Sequence, residues 1–489
     1  MAARALGVWA LLATAALAAP ARGDDLVPLP AVVHLHSDLS TGQYTLEELA
    51  EMAERNGIGA LLVSENYLNR VDYGLPPFRA LTRVSEDSPS VHDRLGDYLD
   101  RVARARAARP GVILLPGVEV MPHYRWTGSP LTLELLVSDT QKNLLVWGLT
   151  DRATLAAIPV IGNGVGGAYS LQSLLDALPI LLLIPGVALL LVKRPRRRRV
   201  GTAVLIVPQR RWIGGLVLCA IAVAAVVRGW PFTVSAYSPY EDPGIAPYQA
   251  VIDFVEQHGG AAVWSFPEAR DVGTRNVGPV RVTWSTEPYP DDLLRTFRYT
   301  AFGALYEETT RVERPGGTWD RMLAQYAAGE RSRPAWGLGE SGFHDANAGK
   351  RLARMQTVFL VRERSEAGIL EALRRGRLYA RHRTPKTALA LTEFAASSDD
   401  ARAVSGETLR PAPGATVSVA VAIEADGDPA TDLKVVLIKN GEIADAWTTA
   451  TPFRATHRES WDGRPSVFRL EARGAGGRLL SSAIFLRPS

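Results

Sequence analysis

Two apolar segments separated by a basic stretch constrain this chain more than any other feature. Residues 174–192 read LLDALPILLLIPGVALLLV, residues 212–227 read WIGGLVLCAIAVAAVV, and each is close to the roughly 17–25 residues that cross a bilayer. Eight Lys and Arg residues, and no acidic residue, lie in 193–211 between them. Buried helices of a soluble core are the alternative, but Trp212 and Trp230 bracket the second segment as interfacial anchors do. The pattern therefore predicts a membrane hairpin whose basic turn is cytoplasmic and whose two flanking regions lie on the other side of the bilayer.

The N-terminus independently predicts export. Residues 5–19 form a short apolar run after Arg4, and small residues follow at positions that fit a signal-peptidase site. We predict a signal peptide over residues 1–21, with an uncleaved N-terminal anchor as the alternative. Export of the following region agrees with the orientation of the hairpin. We therefore expect a chain that is anchored in the lipid bilayer. Most of the chain is expected to lie in the periplasm or at the cell surface.

The positive net charge does not indicate a nucleic-acid-binding protein. The formal net charge is +4, but the eight basic residues of 193–211 account for it, and the rest of the chain carries −4. A basic binding face for nucleic acid is therefore not expected. Cys219 is the single cysteine, which excludes an intramolecular disulfide and a cysteine-rich zinc module.

Outside the apolar segments, the pattern divides the chain into an α/β part and a β part. Short apolar strands such as IGALLVSE alternate with amphipathic helices such as TLEELAEMAERNG, which predicts a parallel sheet or a βα-barrel. The last hundred residues show alternating strands and turns without a helical period, which predicts a small antiparallel β-sandwich. We therefore predict four further segments. Residues 30–155 and 232–386 are the two parts of one barrel, residues 156–231 form a membrane hairpin, and residues 387–489 form a sandwich.

A pair of histidines stands at the end of the first predicted strand, in AVVHLHSDLSTG. Residues i and i+2 of a strand point to the same face, so His34 and His36 are expected to project together. Neutral imidazole is the commonest metal ligand in proteins, which makes this pair a candidate metal site. Two polar rings at an ordinary strand end are the alternative. Glu65, Glu119 and Glu340 also fall near predicted strand ends, where reactive groups of βα-barrels gather.

Four motifs in order resemble the polymerase and histidinol phosphatase (PHP) family. They are VHLHSDLSTGQYTLEELAEMAERNGIGALLVSEN, LLPGVEV, GGAAVWSFPEA and GESGFHD. The resemblance covers residues 30 to about 386 with the hairpin as an insertion, and the terminal sandwich is similar to one that follows the barrel in some exported members. It implies a distorted βα-barrel with up to three divalent metal ions at its mouth and, in many members, hydrolysis of phosphate esters.

The motif residues of the family are only partly present here. By the resemblance, His34 and His36 match the opening HxH pair, Glu119 matches the bridging glutamate, and His344 matches the closing histidine. Four further ligand positions of the family carry other residues in this sequence, namely Asn66, Asn143, Phe266 and Gly342. The set that remains, His34, His36 and Glu119, is three protein ligands, which is typical of an open zinc or manganese site. A two-metal clamp is not expected.

Two functions are consistent with this reduced set of ligands. The first is a metal-dependent phosphoesterase that uses at most one zinc or manganese ion, a bound water as nucleophile, and a phosphorylated small molecule or envelope component as substrate. Its candidate metal ligands are His34, His36, Glu119 and His344, and its candidate catalytic residues are His344 and Glu65. The second is a catalytically inactive PHP-like barrel that serves as a binding or scaffold module at the membrane surface. Asp38, His123, Asp345 and Glu340 lie near the motifs, but ordinary turn or surface positions are the first interpretation for each.

Overall fold

The first part of the chain alternates strands and helices as predicted. The computed structural model describes residues 26–308, 310–347, 349–399, 401–427 and 431–488, so the predicted signal peptide lies outside the described residues. The elements of the first part are β1 Val27–Leu35, α1 Leu46–Arg55, β2 Ala60–Val63, β3 Glu65–Asn66, β4 Arg70–Tyr73, β5 Val84–Asp87, α2 Leu95–Ala108, β6 Ile113–Leu115, β7 Gly117–Val120, β8 Arg125–Ser129, β9 Glu134–Ser138, β10 Leu144–Trp147 and α3 Arg152–Ala156.

Helix α1 illustrates how local sequence sets these boundaries. Thr45 caps its N-terminus by accepting a hydrogen bond from the backbone N–H of Glu48, while the Glu48 side chain accepts from the Thr45 N–H, forming a capping box. Leu49 and Ala53 lie on its buried face. Gly57 follows the helix with a φ of +69°, a left-handed conformation that glycine adopts at little cost.

The two apolar segments form helices with little buried surface. Helix α4 Leu171–Ala177, a 3₁₀ turn and α5 Leu183–Leu191 make one continuous span, and α6 Trp212–Gly229 makes the other. Both have the length and composition to cross a membrane, and only 17% of each apolar window is buried. The basic stretch between them is an antiparallel ribbon of β11 Arg194–Val200 and β12 Ala203–Gln209, in which Arg197 pairs with Ile206. From the sequence this stretch is expected to be a turn, but the β-branched run after Gly201 provides a pairing partner for the arginine strand.

The region after the apolar segments returns to alternating helices and strands. Its elements are α7 Ala246–Gln257, β13 Ala261–Trp264, β14 Asp271–Val277, β15 Val280–Thr286, α8 Asp292–Arg295, β16 Ala301–Leu305, α9 Thr318–Ala327, β17 Trp336–Phe343, β18 Met355–Val361, α10 Glu366–Arg375 and β19 Leu378–Arg383.

The strands on both sides of the apolar segments pair in one ring. β1 is parallel to β2 and to β17; β2 pairs with β6, and the adjoining β3 pairs with β7. From β7 the pairings run through β10 and β13, both antiparallel, to β16 and β17, which are parallel. They thus return to β1, and β1, β13 and β17 share one sheet, as predicted. One hydrophobic cluster contains residues from both parts, including Leu62 and Phe302.

The C-terminal region is made of strands alone among its described residues. They are β20 Ala388–Ser398, β21 Ala401–Val404, β22 Thr408–Leu409, β23 Thr416–Asp426, β24 Asp432–Lys439, β25 Glu442–Ala450, β26 Phe453–Ser460, β27 Ser466–Gly474, β28 Gly477–Ser481 and β29 Ile484–Leu486. β20, β21, β23 and β26 form a sheet of their own. β28 pairs with β19, so the other strands continue the large sheet, and the buried Arg469 guanidinium makes two 2.6 Å hydrogen bonds to Asp320 of α9. The chain is therefore a mixed α/β protein with one large sheet.

A further sheet is not predicted by the sequence pattern. β8, β9, β15 and β14 form four neighbouring strands, with β9 parallel to β15. Leu136 of β9 pairs with Thr283 of β15, a partner far along the chain. Periodicity reports the local environment of a strand and carries no information on so distant a partner.

Candidate metal centre

His34, in β1, and His36, which follows the strand, meet where the end of β1 is irregular. The ladders of β1 with β2 and with β17 both shift register between Val33 and Leu35, and His34 has a φ of +64°. Both imidazoles are buried, and the Nε2 atoms of His34 and His36 lie 3.1 Å apart. The pair therefore projects into one small space as expected, but through this irregularity and not through the regular alternation of side chains on which the expectation was based.

Glu119 completes a group of three ligand atoms. It lies on β7, and its Oε1 is 3.5 Å from His34 Nε2 while its Oε2 is 3.5 Å from His36 Nε2. The ligand atoms of the three residues lie within 4.8 Å of one another. Two ligands that bind one ion tetrahedrally with bonds of about 2.0–2.1 Å lie about 3.3 Å apart. The spacing of these atoms therefore fits a single ion, with further positions open to water or substrate.

Hydrogen bonds behind His34 fix its orientation. His34 Nδ1 is 2.7 Å from Glu340 Oε1, on β17, so its Nδ1–H donates to the carboxylate and Nε2 faces Glu119. The Glu340 carboxylate also accepts from the Ser265 hydroxyl at 2.6 Å and from the Phe266 N–H at 3.0 Å. A carboxylate that receives the second ring N–H of a metal-binding histidine is the usual outer partner in such sites.

The second histidine and the glutamate have outer partners as well. His36 Nδ1 is 3.3 Å from the Ser40 hydroxyl, which donates to Glu65. Glu119 Oε1 accepts a 2.9 Å hydrogen bond from the Asn143 amide. All three ligand side chains are therefore held by neighbours with their ligand atoms facing one another. This arrangement fits a divalent cation.

The charges of the site also favour a cation. Burial alone would lower the pKa of His34, but the carboxylates of Glu119 and Glu340 outweigh burial and raise it to about 9. Burial lowers the pKa of His36 well below its usual value. Burial of Glu119 opposes its ionisation, yet the charge and hydrogen bond of His34 hold its pKa at about 2. The two carboxylates thus retain a proton on His34, and a metal ion would replace that positive charge.

His344 lies next to the three ligands but does not join the group. Its ring stacks on that of His36, with centroids 4.1 Å apart and planes 10° from parallel. Its Nδ1 is 2.9 Å from the Thr41 hydroxyl, and burial lowers its pKa. Among the described residues, the set whose ligand atoms converge consists of His34, His36 and Glu119. His344 is thus placed beside the site as a neutral imidazole.

Glu65 lies behind the site. Its side chain is fully buried, and it accepts hydrogen bonds from the N–H and hydroxyl of Ser37, at 2.9 and 2.5 Å, and from Ser40. Burial raises the pKa of this carboxyl to about 7. Glu65 therefore fastens the loop that follows the histidine pair and supports His36 through Ser40.

Two of the four replaced ligand positions now make hydrogen bonds. The Asn66 amide donates to the Thr41 hydroxyl at 3.2 Å and to the Pro89 carbonyl at 3.3 Å. The Asn143 amide donates to Glu119, and its buried Oδ1 has no hydrogen-bond partner among the described residues. Asn143 thus supplies a neutral donor to the carboxylate oxygen that a second cation would otherwise contact.

The other two replaced positions pack against each other. The Phe266 ring stacks on His34 with centroids 5.1 Å apart. Gly342 has a φ of +55°, and a Cβ placed on it would lie 2.7 Å from Cζ of Phe266. The phenyl ring therefore fills the space that a side chain at position 342 would need.

The sequence predicts an ordinary turn or surface position for Glu340. In the structure, the Glu340 carboxylate instead contacts the His34 ring directly. Ser265 and Ser40 were not among the candidates. The serines carry little signal in the sequence, because serine is common near strand ends. Glu340 carries little signal because it lies 306 residues from His34 along the chain. Asp38, His123 and Asp345 are not part of the three-residue group.

Several solved structures are similar to this chain. No family model matches the chain, and no curated protein does. A two-domain protein from Bacteroides vulgatus, described as containing a predicted PHP-like metal-dependent phosphoesterase, shows 13% identity and a TM-score of 0.34 over 91% of each chain. A protein from Bifidobacterium adolescentis described as a metal-dependent phosphoesterase shows 13% identity and a TM-score of 0.27, over 64% of this chain and 87% of its own.

An amidohydrolase from Chromobacterium violaceum shows 14% identity and a TM-score of 0.27, over 66% of this chain and 89% of its own. At these levels of identity, the function of the present chain has to be argued from its own residues. The description of the Bacteroides vulgatus protein names the PHP-like kind of enzyme that the motifs of this sequence resemble.

Proposed function

We propose that this chain is a membrane-anchored, extracytoplasmic PHP-like phosphoesterase that works with one divalent ion, zinc or manganese. The observation that carries the proposal is the convergence of His34 Nε2, His36 Nε2 and the Glu119 carboxylate, each oriented by an outer partner. Outer hydrogen bonds of this kind orient the ligands of metal sites and keep their ligand atoms facing one another.

A divalent ion held by these three residues would act as a Lewis acid toward a phosphoryl oxygen and activate water for attack on phosphorus. Glu340 keeps the proton of His34 on Nδ1, so that the Nε2 lone pair is free for the ion. Ser40 and Glu65 fix the ring of His36. Asn143 positions the Glu119 carboxylate. Glu65 thus acts as a positioning residue in this proposal.

His344 would act on the phosphate group. Its pKa is lowered by burial, so the ring is neutral at pH 7. Its Nδ1 lies 2.9 Å from the Thr41 hydroxyl, and in the tautomer in which this hydroxyl donates to Nδ1 the ring carries its N–H on Nε2. This N–H would donate to a phosphate oxygen and stabilise its developing negative charge.

One ion rather than two is proposed because the neighbouring positions are taken. Phe266 offers no lone pair and covers one side of His34, and the Asn143 amide donates to the Glu119 oxygen on another. A second ion at bonding distance would face a phenyl ring and an N–H donor instead of carboxylates or imidazoles.

The remaining parts of the proposal concern architecture and location. We propose that residues 30–155 and 232–386 form one PHP-like barrel, that 387–489 form a β-sandwich, and that 156–231 form a two-helix membrane hairpin. The closed ring of strand pairings supports the barrel, and the exposed apolar faces of both helices support the hairpin. The eight cations of 193–211 support a cytoplasmic turn.

Hydrolysis of p-nitrophenyl phosphate and bis(p-nitrophenyl) phosphate by the purified full chain in detergent tests this function. We expect activity that requires added Zn²⁺ or Mn²⁺, is removed by EDTA and is lost in His34→Ala/His36→Ala. The control is His92→Ala/His258→Ala, which removes two histidines outside the site and should retain activity. Metal binding without hydrolysis of any phosphoester would instead favour the inactive binding or scaffold module.

A further inference from the structure

A cation-rich cavity lies beside the candidate metal centre. Its volume is about 550 Å³, and it lies between the end of α1, the end of β17, residues 349–354 and residues 383–385. Four cationic side chains line it, and none of the described lining residues is acidic. The cations are Lys350, Arg351, Arg354 and Arg383.

Carboxylates neutralise these four cations very little. Among the described residues, Arg351 has no salt bridge, and Lys350 Nζ donates to the carbonyl of Gly342 at 3.1 Å. The nearest carboxylate to any of them is that of Glu307, 3.8 Å from Arg354. Other arginines of the chain have close acidic partners, such as Arg125 with Asp242 at 2.6 Å.

The cavity is open to solvent: Arg351 and Arg354 are exposed, while Lys350 and Arg383 are half-buried. Four like charges around one concavity repel each other, and low-dielectric walls concentrate their field inside it. Arginine and lysine side chains of this kind are the groups with which proteins bind phosphate and sulfate. The cavity therefore has the charge and the hydrogen-bond donors to hold an anion.

Lys350 connects the cavity with the metal centre. Its ammonium lies 3.6 Å from the position that a Cβ on Gly342 would take, and that position contacts Phe266, which stacks on His34. Phe343, the residue before His344, also lines the cavity. A ligand at the metal centre and an anion in the cavity would therefore lie on opposite sides of the contact between Gly342 and Phe266.

We propose that this cavity binds a tetrahedral dianion and that, in the proposed reaction, it holds a second anionic group of the phosphoester. The substrate class is then a molecule with two anionic groups, one hydrolysed at the metal centre and one held by Lys350 and Arg351. The substrate class rests on the proposed function, whereas the binding of a dianion in the cavity does not.

Isothermal titration of the metal-free full chain with sodium sulfate tests the binding site. We expect saturable binding that Lys350→Gln/Arg351→Gln weakens at least about tenfold, the equivalent of one lost charged hydrogen bond. The control variant Lys434→Gln/Arg314→Gln makes the same change of net charge away from the cavity, and we expect sulfate affinity within about twofold of the parent. Non-saturable binding, or equal weakening in both variants, would overturn the inference.

Two further measurements separate this site from the metal centre. His34→Ala/His36→Ala should retain sulfate affinity within about twofold, because neither histidine lines the cavity. In the parent, the KM for fructose 1,6-bisphosphate should be lower than that for fructose 6-phosphate, and Lys350→Gln/Arg351→Gln should remove this difference. Sulfate binding without any hydrolysis would refute the proposed function but leave the anion site intact. Hydrolysis with equal KM values would refute the proposed substrate class.

Discussion

The contact between Gly342 and Phe266 allows a quantitative test of the site geometry. In the resemblance to the PHP family, position 342 would carry an aspartate and position 266 a histidine. The structure predicts that Gly342→Asp alone is destabilising, for two separable reasons. The backbone is left-handed at this residue, with a φ of +55°, and the new Cβ would lie 2.7 Å from Phe266 Cζ and 2.9 Å from Cε2.

Each reason has a magnitude. A non-glycine residue in the left-handed region costs about 1–2 kcal/mol, and overpacking against a ring costs about 1–3 kcal/mol. Gly342→Asp should therefore lower the free energy of unfolding by about 2–5 kcal/mol. At about 2–4 °C per kcal/mol for a large domain, the thermal midpoint should fall by at least about 4 °C.

A second substitution should reduce the steric part of this cost. Histidine has no atom equivalent to Cζ of phenylalanine, although a ring atom remains on the side of Cε2, so Gly342→Asp should cost less in the Phe266→His background, by up to about 3 kcal/mol. The matched control is Gly414→Asp, because Gly414 has a φ of +81° and no atom lies within 4 Å of the position that a Cβ would take there. It should show the backbone cost alone.

The assay is thermal unfolding of the metal-free chain in detergent, followed by intrinsic tryptophan fluorescence, for the four members of the cycle and the control. The double variant should also bind more Zn²⁺ or Mn²⁺ than the parent, since it adds two ligand side chains next to His34. An equal cost of Gly342→Asp in both backgrounds would refute the steric reasoning. If the stability cost of Gly342→Asp falls in the Phe266→His background but the double variant binds no more metal than the parent, the two new side chains do not reach the metal centre.

Three further outcomes follow from the structure. Glu340→Gln should weaken metal affinity about 10–100-fold, because it removes the carboxylate that holds the Nδ1–H of His34; Glu371→Gln, a glutamate on α10, is the control in the same metal titration. The pKa of His34 is about 9 in the folded chain and about 6.5 in the unfolded chain. Protonation of His34 therefore stabilises the folded chain by about 3 kcal/mol, an effect that is complete below pH 6.5 and is lost as the pH rises through 9. Unfolding of the metal-free chain across this range should show that loss, and His34→Gln should abolish it. Reporter fusions or cysteine labelling should place 193–211 in the cytoplasm and residues 100, 300 and 450 outside; residue 300 inside would contradict the hairpin.

Sequence patterns predicted those parts of the site that depend on local geometry. The strand-end positions of His34, His36 and Glu119 predicted that these side chains lie close together, because the ends of adjacent strands meet at one rim of a sheet. The resemblance to the PHP family was needed to select Glu119 among the glutamates near strand ends. The capping box of α1 and the alternation of strands and helices were also visible, since each depends on residues only a few positions apart.

Features that depend on distant contacts were not visible. Glu340 is an ordinary acidic residue until β17 pairs with β1 and brings it to His34. The sheet of β8, β9, β14 and β15 depends on a pairing between residues such as Leu136 and Thr283. The packing of Phe266 against Gly342 also becomes apparent only in three dimensions.

Metal stoichiometry tests the central claim most directly. The full chain, stripped of metal and titrated with Zn²⁺ and separately with Mn²⁺, should bind one ion per chain, and the binding should be lost in His34→Ala/His36→Ala. His92→Ala/His258→Ala should bind like the parent. Because His34 is protonated in the metal-free fold at pH 7.5, binding should release about one proton, seen as a buffer-dependent enthalpy. Two tightly bound ions, or one ion that still binds after both His34 and His36 are removed, would contradict the account.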